Sequence, residues 1–507
     1  MAAPKDETQA INRVSGDCSE TRPLLEKHEN DNRSPSRWRA PMEPLTVLVL
    51  LAGCFQDSVY EQYFYYYQCK RYNVTFSFGS NASKCENTTI PVRENQITAQ
   101  AQAARMALYH NVALYSTVCI SSILLGVWSD RSRRRKIAIV PSVFAGMVKA
   151  TVYLLFISLD LPFYTFFLPG IVLSGSLCYY FSALAGMYAY MADITSPSQR
   201  TFRLAVLYMC EGLGAGAAAF LSGYWLDRQR SFTNPIWLSL GLFGFCFIYS
   251  AFLVQDNSHV EEKPSFCAHL RKVGGLFKAR SGSDDKRWRL WCYYIGHLLD
   301  IFSQGGFSVI AILYMMNSPF CWDPTSVGTF SASMNVGTTV FSAAGIRFFR
   351  RWMDDHWIAQ IGMASHVLGC VFMAFAPYFP NTRTILYFVC GSCYDYETCY
   401  ASPFSPVPCV MILNKMQISV LRGRMSLLVD RDQQGLIFAL SSCVAGFLIL
   451  LQSVVFLSVY RATLHWFPGF GFILAAALDV LVAAMVAFLH CHSRASGETS
   501  VNESKIN

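Results

Sequence analysis

Between residues 126 and 136 the chain reads Gly126-Val-Trp-Ser-Asp-Arg-Ser-Arg-Arg-Arg-Lys136, with five cations in the last six positions. This link joins two apolar runs, about Met106 to Trp128 and about Ile137 to Ser158, each long enough to cross a bilayer as a helix. A basic cluster this short and dense stays on the cytosolic face. The link is therefore a cytosolic turn between two antiparallel membrane helices, and it sets the direction of every other segment. A stop-transfer cluster would account for the charge. It would not account for Asp130 standing four residues before the Arg134-Arg135 pair.

Composition agrees with a polytopic membrane protein: 53% of the 507 residues are apolar, 15% are charged and the mean hydropathy is +0.30. The net charge of +8 follows topology instead of forming the broad basic surface of a nucleic-acid binder, so no nucleic-acid partner is expected. Of 41 Lys and Arg, about 31 fall on the expected cytosolic side and about 9 on the other, with Lys149 inside a span. An even number of spans with both termini cytosolic satisfies that bias. Most of the 18 cysteines lie in spans, where they serve as small apolar packing residues.

Residues 1–43 carry no apolar h-region, so no cleavable signal is expected and the first span does the targeting. This polar tail is expected to be disordered. Within it Glu20 precedes Leu24-Leu25 by four residues, like the acidic dileucine signals that clathrin adaptors read. On the first span, about Leu45 to Tyr66, and just beyond it, Asp57, Glu61, Tyr65 and Gln68 recur at helical spacing and share one face. Two carboxylates at depth cost about 2.5–3.5 kcal/mol each on insertion scales, so the face is expected to line a water-filled cavity. The loop 67–105 carries three glycosylation sequons, at Asn73, Asn81 and Asn87, which places it on the non-cytosolic side. Cys85 lies in that loop and Cys321 in the loop between spans seven and eight. We expect these two to pair in an oxidising lumen, with Cys69 the competing partner.

Lys149 lies midway along the third span and requires an acidic partner that the sequence does not identify. The fourth span, about Pro162 to Met191, runs into a second cytosolic link holding Asp193 and Arg200-Thr-Phe-Arg203. The fifth carries Glu211 beside Gly212, Gly214 and Gly216, whose two-residue spacing permits close backbone approach on more than one side. After the sixth span, 255–288 is the one long hydrophilic stretch between spans and divides the chain into halves, 44–254 and 289–490, with a cytosolic tail at 491–507. The seventh span, about Leu290 to Met316, repeats the pattern of the first: Tyr293, His297, Asp300, Gln304 and Ser308 lie at spacings of four, three, four and four. Polar stripes on the leading span of both halves fit a pseudo-two-fold transporter with a midplane site. Arg347 to Arg351 is a degenerate copy of the first basic link. Asn381 to Leu421 is too long for one span, and 391–409 reads as an insertion in the tenth. Its cysteines have irregular spacing and no His, so no metal site is assigned.

The link Gly-x-x-x-Asp-x-x-x-Arg-Arg resembles the signature loop of the major facilitator superfamily, whose six-helix halves rock about a central site. More specifically, Trp128-Ser-Asp-Arg131, Ala192-Asp-Ile-Thr-Ser196 with Arg200-Thr-Phe-Arg203, Asn234-Pro-Ile-Trp-Leu-Ser-Leu240, Leu313 to Trp322 and Arg422 to Gly435 resemble the proton-coupled folate transporter and its relatives, solute carrier family 46, from Pro44 to His490. The arrangement around Cys85 and the Cys321-Trp322 pair look like that family's outer loops, which supports the proposed disulfide.

The resemblance implies an all-α membrane protein of twelve transmembrane helices in two pseudo-symmetric six-helix bundles. It also implies secondary active, proton-coupled symport by alternating access of a small organic, anionic solute such as a folate-like compound. A proton gradient would supply the energy, no cofactor or metal would be needed, and the protein would work as a monomer in an endosomal, lysosomal or plasma membrane. Asp57, Glu61, Tyr65, Glu211, His297, Asp300, Gln304 and Arg422 are the candidates for cargo and proton, and Asp130, Arg134, Arg135 and Asp193, with 430–434, for a cytosolic gate. The chain departs from the folate transporter where it has Tyr208 for an acidic residue early in the fifth span, Gln304 for the seventh-span histidine and Tyr179 near the fourth-span aspartate. Two alternatives stay open: export of other endolysosomal metabolites, such as muramyl peptides or cyclic dinucleotides, and a transporter-like sensor without turnover. No nucleophile with a base partner stands out, so an enzyme is not expected.

Overall fold

A computed structural model describes residues 41–74, 76, 90–132, 134–195, 197–255, 284–317, 320, 322–378, 410–429 and 434–495. The helices in chain order are α1 (Met42–Arg71), α2 (Ile90–Ser132), α3 (Lys136–Ser158), α4 (Leu168–Ser176), α5 (Tyr179–Ile194), α6 (Pro197–Gln229), α7 (Thr233–Ile248), α8 (Asp284–Met315), α9 (Pro324–Phe349), α10 (Asp355–Phe375), α11 (Met416–Leu428), α12 (Gln434–Thr463) and α13 (Phe470–Ala495). Every backbone polar group in a bilayer must be satisfied within the chain, which leaves helices as the spanning element for runs this apolar. Ten stretches of the described residues are helical, long and apolar enough to cross. The Ser-, Thr- and Gly-rich α9 and the shorter α11 occupy two further positions, giving the twelve-position all-α bundle.

Helices α1–α7 form one half and α8–α13 the other. The halves meet chiefly where α6 packs on α9 and α2 on α12. The glycines of α6 explain the first contact. Side chains of α9 crowd Gly212 and Gly216 through Thr339 and Val336, whereas Gly214 faces the backbone and Leu50 side chain of α1. Gly223 meets backbone itself, at Pro324 and Gly328. The two-residue spacing thus serves two neighbours at once, as its sequence implied.

Three segments differ from the sequence reading. The second helix begins at Ile90, inside the stretch read as loop. Its added turns are buried against the other half: Ala99, Ala103 and Ala104 are inaccessible, and the Gln100 amide donates to the Leu313 carbonyl and to the Tyr460 hydroxyl. Protein covers this face of the polar extension, while Glu94, Asn95 and Thr98 on its other side are exposed. The fourth span is not one helix. It runs through a wide turn at Phe163–Phe167 and α4, then breaks at Leu177–Cys178, where Cys178 (φ 72°) and Tyr179 (φ 39°) are left-handed. Non-glycine residues there cost about 1–2 kcal/mol each, so the surroundings must hold them. The break is satisfied internally: Leu177 and Cys178 N–H donate to the Ser174 and Gly175 carbonyls, and Ser121 Oγ to Gly175. Third, α1 continues past Tyr66 to Arg71 and closes on Asn73 (φ 52°), with Val74 N–H donating to the Cys69 carbonyl. Asparagine is among the few residues that accept this C-terminal cap conformation.

Residues 256–283, Glu20, Leu24, Leu25, Asn81, Asn87, Cys85, Cys321 and the 391–409 stretch lie outside the described residues. Asn73 is exposed, and Cys69 is buried with a free thiol.

A β-branched side chain at Gly223 would have to displace backbone of α9. Gly223→Val is expected to lower thermal stability of the purified protein by about 1–3 kcal/mol, read as a drop in melting temperature in detergent, while Gly241→Val, at an open position, leaves it within error.

Candidate functional site

Lys149 finds its partner in Asp57. The ammonium is fully buried and lies 2.6 Å from Asp57 Oδ1, whose side chain keeps 28% of its surface exposed. The break in the fourth span supplies the rest of the cradle. It aims Tyr179 so that its hydroxyl donates to Gln56 Oε1 (2.9 Å) and to Asp57 Oδ1 (3.2 Å) while its ring lies 4.1 Å beneath the ammonium. An ammonium over an aromatic face gains about 1–2 kcal/mol when desolvated. Glu61, one turn along α1, is partly exposed and within electrostatic reach of both Asp57 and Lys149. The predicted stripe then divides. Tyr65 is buried beside Cys69 and Gln96, and Gln68 donates to Met106 Sδ (2.8 Å), so both pack against α2 instead of continuing a wet face.

A second group crosses between the halves. Arg422 on α11 is exposed and donates from Nε to His297 Nε2 on α8 (3.3 Å). With Nε2 accepting, the neutral imidazole carries its proton on Nδ1, a buried atom without a hydrogen-bond partner. Arg422 also acts electrostatically on Glu211 and Tyr188 of the other half, and those two side chains are hydrogen-bonded to each other. Arg422 therefore faces the space between the halves.

The third group is buried in the second half. Asp300 is inaccessible, and its Oδ1 accepts from Gln304 Nε2 (2.9 Å) and Gln417 Nε2 (3.1 Å). One turn on, Ser303 Oγ donates to Asp479 Oδ2 (2.9 Å), which also pairs with His366 Nδ1. Asp479, His366 and Gln417 were not singled out from sequence, and Tyr179 only as the position near the family's fourth-span aspartate. Each stands alone in an apolar or unremarkable run, and only the packing of α5, α10, α11 and α13 onto α1 and α8 brings them in. The seventh-span stripe spreads in the same way: Tyr293 turns into the second half to share a hydrogen bond with His356 (2.7 Å), whereas Ser308 is exposed.

Asp130 and Asp193 lie on α2 and α5, but their side chains are outside the described set. Arg134 is exposed, and its carbonyl accepts from Ser129 Oγ (3.3 Å) across the link. At the corresponding link of the second half, Asp355 pairs with Arg350 and with Arg424 of α11, both at 3.4 Å.

Removing one partner of the Asp57–Lys149 pair strands the other in the bundle. Asp57→Asn and Lys149→Met are each expected to cost about 3 kcal/mol, and the double substitution to recover most of it. Thermal melts of the four proteins in detergent check this, and equal losses in single and double variants would contradict the pairing.

The family model described as Major Facilitator Superfamily matches residues 88–406. The rat proton-coupled folate transporter is 30% identical over 461 residues, covering 89% of this chain and 92% of its own. The chicken lysosomal proton-coupled steroid conjugate and bile acid symporter SLC46A3 is 27% identical, with 89% and 94% covered. Among solved structures, a POT family transporter in complex with 5-aminolevulinic acid superposes with a TM-score of 0.56 at 11% identity, covering 88% of this chain and 95% of that one. The human organic anion transporter MFSD10 superposes at 0.53 and 13%, covering 88% and 100%. These two show the fold alone. With its basic link, its two six-helix halves and a relative of this identity across nearly the whole length, the chain belongs to the major facilitator superfamily and, within it, to solute carrier family 46.

Proposed function

We propose that the protein is a proton-coupled symporter that moves a small organic anion by alternating access, its halves 44–254 and 289–490 rocking about the Arg422 site. The observation that carries this reading is the guanidinium of Arg422, solvent-accessible between the halves and shared by His297 and Glu211. A cation so placed binds carboxylate or sulfate, and the named cargoes of the relatives, folate, steroid conjugates and bile acids, include such anions. Anion binding competes with Glu211 for Arg422, and a proton on Glu211 releases the guanidinium. Cargo and proton therefore favour each other's binding, which is the requirement for symport. Asp57, Glu61 and Gln304 belong to the same proposed cargo and proton path, from which Tyr65, covered by α2, drops out, and Asp130, Arg134, Arg135 and Asp193 to the gate.

The end of the bundle holding Arg71, Ile90 and Pro324 would face the lumen, since Asn73 lies there, and both chain termini the cytosol. Gln100 and Asn111, which donates to Ser453 of the other half (3.3 Å), tie the halves nearer that end, in keeping with a state open to the cytosol. Glycosylation at Asn73, Asn81 and Asn87, a Cys85–Cys321 disulfide, a monomeric state and an endolysosomal address read by clathrin adaptors at Glu20, Leu24 and Leu25 complete the proposal. The acidic side would then be luminal and transport would run into the cytosol, each pH unit supplying about 1.4 kcal/mol per proton.

Glu211→Gln is expected to abolish pH-driven uptake of labelled folate or taurocholate in proteoliposomes, with the amount of folded protein unchanged. Unchanged flux would remove Glu211 from coupling. Arg422→Gln should weaken anion uptake about 10- to 100-fold, the loss of one charge-assisted hydrogen bond of about 1.5–3 kcal/mol. Exchange of labelled for unlabelled cargo separates a carrier from a sensor, which would bind without exchange.

A further inference from the structure

Three ionisable side chains from three helices meet in the interior of the second half. Asp300 of α8 and Asp479 of α13 are wholly inaccessible, and His366 of α10 is 1% exposed. Asp479 Oδ2 accepts from Ser303 Oγ and pairs with His366 Nδ1, while its Oδ1 has no hydrogen-bond partner. Asp300 Oδ1 is held by two amides, and its Oδ2 likewise lacks a partner. Asp300 and Ser303 are one turn apart on α8, and Asp479 and His366 both act on Asp300 electrostatically. The group that α11 presents to Asp300 is the amide of Gln417, and Cys370 of α10 brings its Sγ to 3.8 Å from His366 Nε2.

Charge counting sets this cluster apart from the one in the first half. There the carboxylate of Asp57 has a fixed cation in Lys149 and retains solvent contact. Here two carboxylates share one imidazole with no solvent contact. With all three groups ionised the cluster carries one uncompensated negative charge in the bundle interior, a state that costs several kcal/mol after relaxation. One additional proton makes it neutral, and the two partnerless oxygens, Asp300 Oδ2 and Asp479 Oδ1, are where it can reside. The proton belongs to the coupled group and not to one residue. Asp300 lies between His297 and Gln304 on α8. His297 reaches Arg422, and the partly exposed Gln304 donates to Asp300, so the cluster adjoins the proposed cargo path through Gln304.

We propose that Asp300, Asp479 and His366, with Ser303 donating to Asp479, form a proton-binding site within the second half that is loaded and emptied during the transport cycle. The site rests on the symporter reading above for its place in the cycle, but not for its chemistry. On binding, the proton adds to a carboxylate oxygen and no other bond changes. On release it leaves for the open side, and the cluster returns to one net negative charge.

The test uses the full-length protein and reads the proton directly. Infrared difference spectra of purified protein between acidic and neutral pH should show a carbonyl band of a buried carboxylic acid. That band should be lost or shifted in both Asp300→Asn and Asp479→Asn, each close in shape to the native side chain, and should persist in Glu211→Gln at altered intensity. In proteoliposomes with one pH unit imposed, one coupled proton supports about tenfold accumulation of labelled taurocholate or folate. The ratio of gradient-driven accumulation to downhill exchange should fall by about that factor in Asp479→Asn and recover in Asp479→Glu. A purely structural role would lower both rates together and leave the ratio alone.

A carbonyl band untouched by both Asn variants would overturn the proposal. So would stoichiometric zinc in the purified protein that is lost on His366→Gln, since His366, Cys370 and Asp479 also bring ligand atoms within 4.8 Å of one another. If the wild-type protein moves neither anion, the symporter reading fails while the infrared result still decides the proton site.

Discussion

A fully buried ammonium at Lys149 has to be neutralised before this bundle can close, and the first half is arranged around that need. The partner comes from α1, the supporting hydroxyl and ring from α5, and the ammonium from α3, so one ion pair ties three helices at mid-bundle. The left-handed residues at Cys178 and Tyr179 make sense in this light. A continuous helix would carry residue 179 onward along its own axis, whereas the break turns the phenol under the ammonium and against Asp57. The backbone cost of about 1–2 kcal/mol per residue is offset by a cation–π contact and two hydrogen bonds.

The two halves treat charge differently. In the first, Lys149 meets Asp57 and Arg203 meets Glu43, while Glu61 and Glu211 are partly exposed. In the second, the basic groups gather at the link, where Arg350 and Arg424 clasp Asp355, and the interior holds carboxylates with imidazole and amides. Arg422 acts on both sides of the divide, through His297 on α8 and Glu211 on α6.

Much of this architecture was legible in the residues. The basic link, the apolar runs and the halfway linker led to the twelve-position fold, because span length and charge bias follow from bilayer thickness and insertion alone. Asp57, Glu61, His297 and Asp300 stood out because a carboxylate or imidazole inside an apolar run is costly wherever it points. What could not be read was partnership. Lys149 had no visible mate since Asp57 lies 92 positions away in the chain. Asp479 and His366 went unremarked because an isolated polar residue within an apolar helix carries no periodic signal. Tyr65 and Gln68 share the helical register of Asp57, yet register says nothing about which neighbour covers a face, and α2 covers theirs. The unexpected turns at 90–105 have the same origin: a polar helix end reads as loop until the Leu313 carbonyl and Tyr460 are there to receive it.

The interruption at Leu177–Cys178 leaves α5 as a separate rod with a contact at either end. Near its start Tyr179 touches Asp57, and nine residues on, about 13 Å along the axis, Tyr188 is bonded to Glu211. One rigid rod thus sets a phenol against each of the two carboxylates. Asp57 and Glu211 therefore share one supporting helix, although no side chain joins them.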